Sequence, residues 1–288
     1  MPGLPATALA DARHYQIGVL AFLLVYGCGW LHFDVPAVQA ALTITTALAV
    51  QWLGDRHLAH RPFEPRSAFI SSLSLCILLR VDVPWLAMLG AAIAISSKFL
   101  ITARGKHLFN PTCLALVVLA GGTSRAWVSP GQWGDGAWFG FLMACLGLLV
   151  LNRARRAETT AAFLLTYAGL VFARALWLGD PLAIPLHQLQ SGALLLFAFF
   201  MISDPKTTPD SAAGRILFGV AVAVLAAALR FQHFQPYALL YALAACAPLV
   251  PLLDRWLPGA RYDWRGGPPS APRTVPPATP AAAAPRAA

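Results

Sequence analysis

Charged residues are scarce in this 288-residue sequence: they make up only 11% of it, whereas hydrophobic residues make up 58%. A soluble domain carries about a quarter charged residues, so this composition excludes an ordinary soluble protein and indicates an integral membrane protein. Acidic residues are the scarcer sign, with 12 against 21 lysines and arginines and a formal net charge of +9. The placement of these charges decides whether the excess reflects nucleic-acid binding or membrane topology.

Cysteine is also scarce, with five residues that each stand alone in an apolar stretch and never form a Cys-x-x-Cys pair. This pattern argues against a disulfide framework or an iron–sulfur cluster held by this chain alone, and it is typical of small packing residues. No nucleotide-binding glycine motif or Ser-His-Asp order is present. The seven histidines lie in loops or at the ends of apolar runs, so neither a bis-histidine haem nor a metal site is predicted.

Long apolar runs of about 20 residues, the length of a helix that crosses a bilayer, are abundant instead. Ten runs predict ten transmembrane helices, at 15–33, 35–53, 68–81, 83–101, 110–122, 136–151, 159–178, 186–202, 214–231 and 236–253. The third and fifth runs are short for a full span. We expect no cleavable signal peptide before the first run, and the tail from Pro258, with eight prolines and nine alanines, is predicted to be disordered.

The positive charges follow the predicted loops. If the N-terminus is cytoplasmic, 17 lysines and arginines fall on the cytoplasmic side. The four outside are Arg80, Arg125, Arg174 and Arg230. This is the bias of the positive-inside rule, so the sequence predicts that both termini are cytoplasmic, that the partner is the lipid bilayer, and that nucleic acid is not bound.

An internal repeat is visible when the sequence is shifted by 125 residues. Phe109-Asn110-Pro111 then falls on Phe234-Gln235-Pro236, and Pro84 falls on Pro209. Each half contains five predicted spans, an odd number, so the halves should cross the membrane in opposite senses. The predicted division is an N-terminal segment (1–14), two five-helix repeats (15–133 and 134–256) and the tail (257–288). Inverted repeats of this kind enclose sites built from short or broken helices.

Two polar stretches interrupt the apolar chain. The first runs from Arg104 into Pro111, and a proline at the first turn of a helix leaves amides that favour an anion. The second surrounds Asp204, a carboxylate at the membrane edge that needs a partner or water. The predicted binding residues are Arg104, Lys106, His107, Asn110, Pro111, Thr112, Asp204, Lys206, Thr207 and Thr208. The alternative is that these are ordinary interfacial loop residues.

Together the two stretches resemble the NqrB/RnfD family, the membrane subunits of the sodium-pumping NADH:quinone reductase and of the Rnf electron-transport complex. The matching residues are Lys98, Arg104, Gly105, His107, Phe109, Asn110 and Pro111, followed by Gly192, Phe199, Met201, Asp204 and Pro205. The resemblance runs from about Phe69 to Trp256. The short loops resemble a divergent, short branch of the family.

The resemblance implies a ten-helix fold of two inverted halves, similar to urea channels, and a bound flavin. Many family members attach FMN covalently to a threonine in a Ser-Gly-Ala-Thr-type motif. Residues 121–135 contain no such motif, and the string SGAL at 191–194 ends in Leu194, which has no hydroxyl. We therefore expect FMN or riboflavin to be held noncovalently, with an FMN phosphate at Pro111, Arg104 and Lys106; Thr112 is the fallback attachment point.

The sequence thus predicts an all-α, flavin-linked electron-transport subunit in the plasma membrane of a bacterium. It would work with other membrane or peripheral redox subunits, as part of a flavin-dependent oxidoreductase complex coupled to cation translocation. Asp204 could instead serve as a cation or proton ligand. Two alternatives stay open because fold alone does not separate them: a channel or transporter for a small polar solute, and a structural membrane anchor for a redox partner.

Overall fold

Most of the described chain is α-helical, in a computed structural model that describes residues 11–129, 146–147 and 157–262. Within these ranges the helices are α1 (Ala12–Gly29), α2 (Ala37–His57), α3 (Arg66–Leu78), α4 (Pro84–Leu100), α5 (Pro111–Gly122), α6 (Ala157–Leu178), α7 (Ala183–Leu189), α8 (Gly192–Leu196), α9 (Ala212–Phe231), α10 (Ala238–Cys246) and α11 (Leu249–Trp256). A π-helical turn, Phe197–Met201, directly follows α8. Most of the predicted run 136–151 and the tail beyond residue 262 lie outside the described residues.

Three of the described helices, α2, α6 and α9, are long and apolar enough to cross a membrane. Two bent pairs are further candidates: α7 with α8 and its π-helical turn, bent by 47°, and α10 with α11, bent by 48°. Helices α3, α4 and α5 are apolar but shorter. The described part of the chain therefore contains three to five full-length spans by this measure, and the count of ten stays a prediction.

The bends interrupt two runs that hydropathy alone presents as continuous. The run 186–202 breaks at Gln190, between α7 and α8, and the run 236–253 breaks ahead of α11, where Pro248 lacks the amide that would continue α10. Pro111 occupies the first turn of α5, as predicted. The expected start at Pro236 is wrong, because α10 begins only at Ala238.

Two small antiparallel hydrogen-bonded pairs of strands join the loops. Strand β1 (Leu79–Val81) pairs with β4 (Ala126–Val128), and β2 (Thr102–Ala103) pairs with β3 (Lys106–His107). The turn between β2 and β3 has positive φ at both Arg104 (54°) and Gly105 (77°). That is the geometry of a tight two-residue hairpin, and glycine adopts it without steric cost. Because neighbouring strand residues point to opposite faces, the hairpin sends adjacent side chains of β3 in different directions.

Loop contacts join segments that the charge distribution places on the same side of the membrane. Arg125 pairs with Asp82 at 2.7 Å, beside the β1–β4 pair, and both residues were predicted outside. Arg66 pairs with Asp11 at 2.9 Å, and both were predicted cytoplasmic. These contacts are consistent with the predicted division of the loops into two ends.

The long helices pack closely where a glycine allows it. On α9, a Cβ at Gly219 would lie 2.7 Å from the backbone oxygen of Thr159 on α6. Small residues permit this approach, which is the usual basis of helix packing in membranes. The same helix therefore holds α6 on one side and α10, which also packs on it, on another.

A buried ionic cluster ties the hairpin to the C-terminal end of the chain. The ammonium of Lys106 donates to Asp210 Oδ1 at 3.0 Å, to Asp254 Oδ2 at 2.9 Å and to the backbone oxygen of Thr208 at 2.7 Å. The backbone amide of Asp210 also donates to Asp254 Oδ1 at 2.7 Å. The three charged side chains are each only 9% exposed. One lysine thus fastens the hairpin, the loop after the π-helical turn and α11.

Replacing Lys106 with methionine should destabilise the protein strongly. The substitution leaves the carboxylates of Asp210 and Asp254 side by side without their cation, which typically costs about 3 kcal/mol or more. Thermal unfolding in detergent measures the loss. Arg255→Met, at an exposed cation on the same segment, is the matched control and should change stability by about 0.5 kcal/mol or less. Equal midpoints for the two variants would contradict the structural role of the cluster.

Candidate functional site

A polar cavity of about 480 Å³ lies where the first turns of α3 and α5, the last turn of α4 and the loop after the π-helical turn converge. Its polar and charged lining consists of Arg13, Gln16, Arg61, Glu64, Ser67, Ser71, Ser74, Lys98, His107, Asn110, Thr112, Asp204 and Lys206. We call it the polar cavity. It lies on the side that the charge distribution assigns to the cytoplasm.

Asn110 connects the two halves of the chain at this cavity. Its Oδ1 accepts from the backbone amide of Cys113 at 3.0 Å and so caps α5. Its Nδ2 donates to the backbone oxygen of Met201 at 3.3 Å and to Asp204 Oδ2 at 3.4 Å. The side chain is buried, so each of its polar atoms needs such a partner.

The cap also limits what α5 can bind. Pro111 has no amide, and the amide of Cys113 is already used by Asn110. The start of α5 therefore offers few free donors, and an anion there would rely on side chains more than on the helix terminus.

His107 presents a defined tautomer to the site. Its Nδ1 lies 3.1 Å from the backbone oxygen of Lys98, which can only accept, so a neutral ring carries its proton on Nδ1. Nε2 is then a hydrogen-bond acceptor. Burial, and next the positive charges of Lys98 and Lys206, lower the pKa of His107 from 6.5 to about 4, so the ring is neutral at physiological pH.

The loop after the π-helical turn is folded by Asp204. Its Oδ1 accepts from the backbone amide of Lys206 at 3.0 Å, in the local bond typical of aspartate turns. Its backbone oxygen accepts from the hydroxyls of Thr207 at 3.3 Å and Thr208 at 3.0 Å. The carboxylate is thereby fixed at the cavity wall, and the two threonines are buried behind it.

Lys98 is a buried cation in the same wall. Its side chain is 6% exposed, and its ammonium donates to the backbone oxygen of Ser67 at 2.9 Å and to Ser67 Oγ at 3.0 Å. Helix α4 thus reaches the first turn of α3 through one side chain.

A group of paired charges forms the outer rim of the cavity. Arg13 pairs with Asp11 at 2.7 Å and with Glu64 at 3.6 Å, and Arg66 pairs with Glu64 at 2.7 Å. Hydrogen bonds from Arg66 hold the pKa of Glu64 below its usual value. Arg61 pairs with Asp55 at 2.7 Å. Most rim charges are therefore neutralised by one another, and the cavity presents donors and acceptors together.

The structure gathers only part of the predicted site. Of the predicted residues, the cavity is lined by His107, Asn110, Pro111, Thr112, Asp204 and Lys206. Lys106 is turned away because it neighbours His107 on β3 and so faces the ionic cluster instead. Arg104 lies in the hairpin turn, where its guanidinium donates at 3.5 Å to the backbone oxygen of Pro251. Thr207 and Thr208 fold the loop rather than line the cavity.

Sequence reasoning missed the residues that come from the first three helices. Lys98 stood in the matching motif but was not predicted as a site residue, and the loop with Arg61 and Glu64 carried no motif. Thr112, for which a bond within its own helix was the ordinary expectation, lies instead 3.5 Å from the backbone oxygen of Ser71 on α3. A lysine at the end of an apolar helix was the one available signal for this side of the cavity.

A second cavity, of about 580 Å³, lies at the other end of the chain's second half. Aromatic side chains from α6, the π-helical turn and the start of α10 line it, with Arg230 and several amides. We call it the aromatic cavity; its described lining includes no carboxylate. Gln235 and Pro236 line it, as Asn110 and Pro111 line the polar cavity, and Met201 lines both cavities.

These features define a class: a multi-pass helical membrane protein with a polar cavity between helix ends. Comparison with known proteins gives the family. The model of the NQR2, RnfD, RnfE family matches residues 125–263. The resemblance predicted from the two motifs is therefore confirmed, although the matched region begins after the first motif.

Curated proteins similar to this chain include several that are named as the RnfD component of an ion-translocating oxidoreductase complex. That of Shewanella amazonensis is 25% identical over 319 aligned positions, which cover 84% of this chain and 89% of that protein. That of Aeromonas hydrophila is 27% identical over 83% of this chain and 92% of that protein. That of Mannheimia succiniciproducens is 35% identical, but over 45% of this chain and 38% of that protein. An alignment of 319 positions exceeds the 288 residues present here, so the Shewanella protein contains segments that this chain lacks.

Substituting Asn110 separates its two contacts. Asn110→Asp keeps an oxygen for the amide of Cys113 but turns an acceptor towards the backbone oxygen of Met201 and a negative charge towards Asp204. Asn110→Ala removes the cap as well, at a cost of about 1 kcal/mol. We expect the aspartate variant to unfold in detergent at a temperature at least as low as the alanine variant at pH 7. An aspartate variant as stable as the wild type would show that only the cap matters.

Acidification should weaken the fold through His107. The unfolded chain binds a proton at this residue near pH 6.5, whereas the folded chain binds it only near pH 4, so stability is full above the first value and falls as the pH decreases between the two. His107→Asn keeps a donor for Lys98 and should reduce that loss. Thermal midpoints measured at pH 7 and pH 5 test this, with the exposed His57 replaced by asparagine as control. An unchanged pH dependence in His107→Asn would contradict the assignment.

Proposed function

We propose that this chain is a membrane-embedded electron-transport subunit of an ion-translocating oxidoreductase complex in a bacterial plasma membrane. The observation that carries the proposal is the similarity to curated proteins of that name over most of this chain and of theirs. In such a complex the chain would work beside other membrane or peripheral redox subunits. Movement of a cation would be coupled to electron transfer.

The polar cavity is the proposed flavin site, and attachment there would be noncovalent. A flavin ring has donors and acceptors along one edge and a hydroxyl-bearing chain, and this cavity offers both kinds of partner. When bound, the flavin would supply one- and two-electron transfer. Lys206 and Asn110 would donate to it, and Asp204 and Nε2 of His107 would accept from it. Lys206 and Lys98, rather than Arg104 and Lys106, would face an FMN phosphate.

Two inverted five-helix repeats are the proposed architecture. The packing of the described helices supports it: α2 packs on α4 as α6 packs on α9, and α4 packs on α5 as α9 packs on α10. The bounds of these helices also recur, to within a few residues, at the 125-residue shift. The polar and aromatic cavities would then be related positions at opposite ends of the repeat, each beside an Asn-Pro or Gln-Pro pair.

A channel or transporter for a small polar solute is the second candidate. The observation that favours it is Met201, which lines both cavities, so only a thin wall separates them. A solute path through the chain would require this wall to open. Electron transport requires no such opening, so the two functions predict different behaviour in sealed vesicles.

Purification of the full chain in detergent tests the flavin proposal. We expect a flavin absorbance spectrum, and acid precipitation should release the chromophore into the supernatant. Flavin retained in the pellet would contradict noncovalent attachment. Absence of flavin, together with solute uptake by liposomes containing the protein, would favour the channel.

Variants at the cavity locate the flavin. Asp204→Asn and Lys206→Met should each lower the flavin bound per chain several-fold, because each removes a polar partner at the wall. Arg255→Met, exposed and outside the cavity lining, should leave the flavin content unchanged. Full flavin content in both cavity variants would place the cofactor elsewhere.

A further inference from the structure

The surroundings of the Lys98 ammonium are those of a bound cation. A backbone oxygen and a hydroxyl oxygen of Ser67 lie 2.9 and 3.0 Å from Nζ. Backbone carbonyl and hydroxyl oxygens are also the ligands that unhydrated monovalent metal ions take in proteins. The ammonium therefore lies where oxygen atoms of the protein would otherwise coordinate a metal ion.

Nearby carboxylates make this position attractive to positive charge. Asp204 and Asp55 act on the charge of Lys98 from the loop after the π-helical turn and from α2. The opposing cation is Arg61, and its charge is paired with Asp55 at 2.7 Å. The carboxylate of Asp204 thus has a cation of the protein's own near it, supplied by α4.

The backbone holds this lysine in place. The carbonyl of Lys98 is fixed by the ring of His107, and its ammonium by the first turn of α3. Its side chain is 6% exposed, and burial of an ammonium is costly unless its surroundings compensate. Lys206, on the same cavity, is only partly buried and belongs to a loop. The two lysines are therefore not equivalent.

We propose that Lys98 is a tethered cation that fills a monovalent-cation position in the wall of the polar cavity. Its ammonium neutralises Asp204 and occupies the oxygen ligands of Ser67, so Na⁺ is excluded from this position. The cavity is thereby kept for a neutral or anionic ligand. This inference does not depend on the ligand being a flavin, and it assigns to Lys98 a role in ion selectivity rather than in ligand contact.

Removal of the tethered cation should create a site for a free one. In Lys98→Ala, the thermal midpoint of the full chain in detergent should rise saturably with NaCl, but not with choline chloride at the same ionic strength. Ethylammonium, which resembles the lost end of the side chain, should stabilise the variant as well. In the wild type the two salts should give the same midpoint. Addition of Asp204→Asn to Lys98→Ala should raise the half-saturating Na⁺ concentration about tenfold or more.

Lys206→Ala is the matched control, because it removes a cation from the same cavity without opening the Ser67 ligands; it should show no Na⁺-specific stabilisation. The proposal is overturned if Lys98→Ala responds equally to NaCl and choline chloride. If Lys98→Ala does not fold, Na⁺ binding to the wild type by ²³Na line broadening decides. Saturable broadening that Asp204→Asn removes would overturn the proposal, and its absence at the same protein concentration would support it. Neither measurement requires bound flavin, so a failed flavin test leaves this result interpretable.

Discussion

The side chain of Asn110 is the contact on which the arrangement of the cavity depends. One oxygen caps α5 and one nitrogen reaches the end of the π-helical turn, so a single amide fixes the distance between two elements that are far apart in sequence. A carboxylate or a hydroxyl could cap the helix equally well, but neither could also donate to the Met201 carbonyl in the same way. The proline that follows begins the helix, and the asparagine determines where that helix stands.

Polar groups elsewhere in this apolar chain obey the same requirement for pairing. Lys106, Lys98 and Asp204 are each surrounded by partners, because an unpaired charge at the membrane edge would be expensive. The pairing divides the labour between neighbours on β3. One side chain of the hairpin holds the C-terminal end in place, and the next faces the cavity with a neutral ring.

Sequence predicted the class of fold, the family and the start of α5, because hydropathy, the positive-inside bias and Pro111 act locally. It could not separate Lys106 from His107, since the side each faces depends on a two-residue turn whose geometry appears only when the chain is folded. It also missed Lys98, whose partner Ser67 is 31 residues away along the chain. The helix breaks before α8 and α11 were hidden because apolar residues flank both of them.

The shared wall at Met201 has a thermodynamic consequence for the two cavities. If a ligand in one cavity displaces this side chain, the affinity of the other cavity changes too, and linkage requires the effect to be equal in both directions. The strength of that coupling is limited by how far the π-helical turn can move, and the Asn110 amide holds its last carbonyl. Communication between the two faces of the protein therefore depends on a methionine and on the hydrogen bond that restrains it.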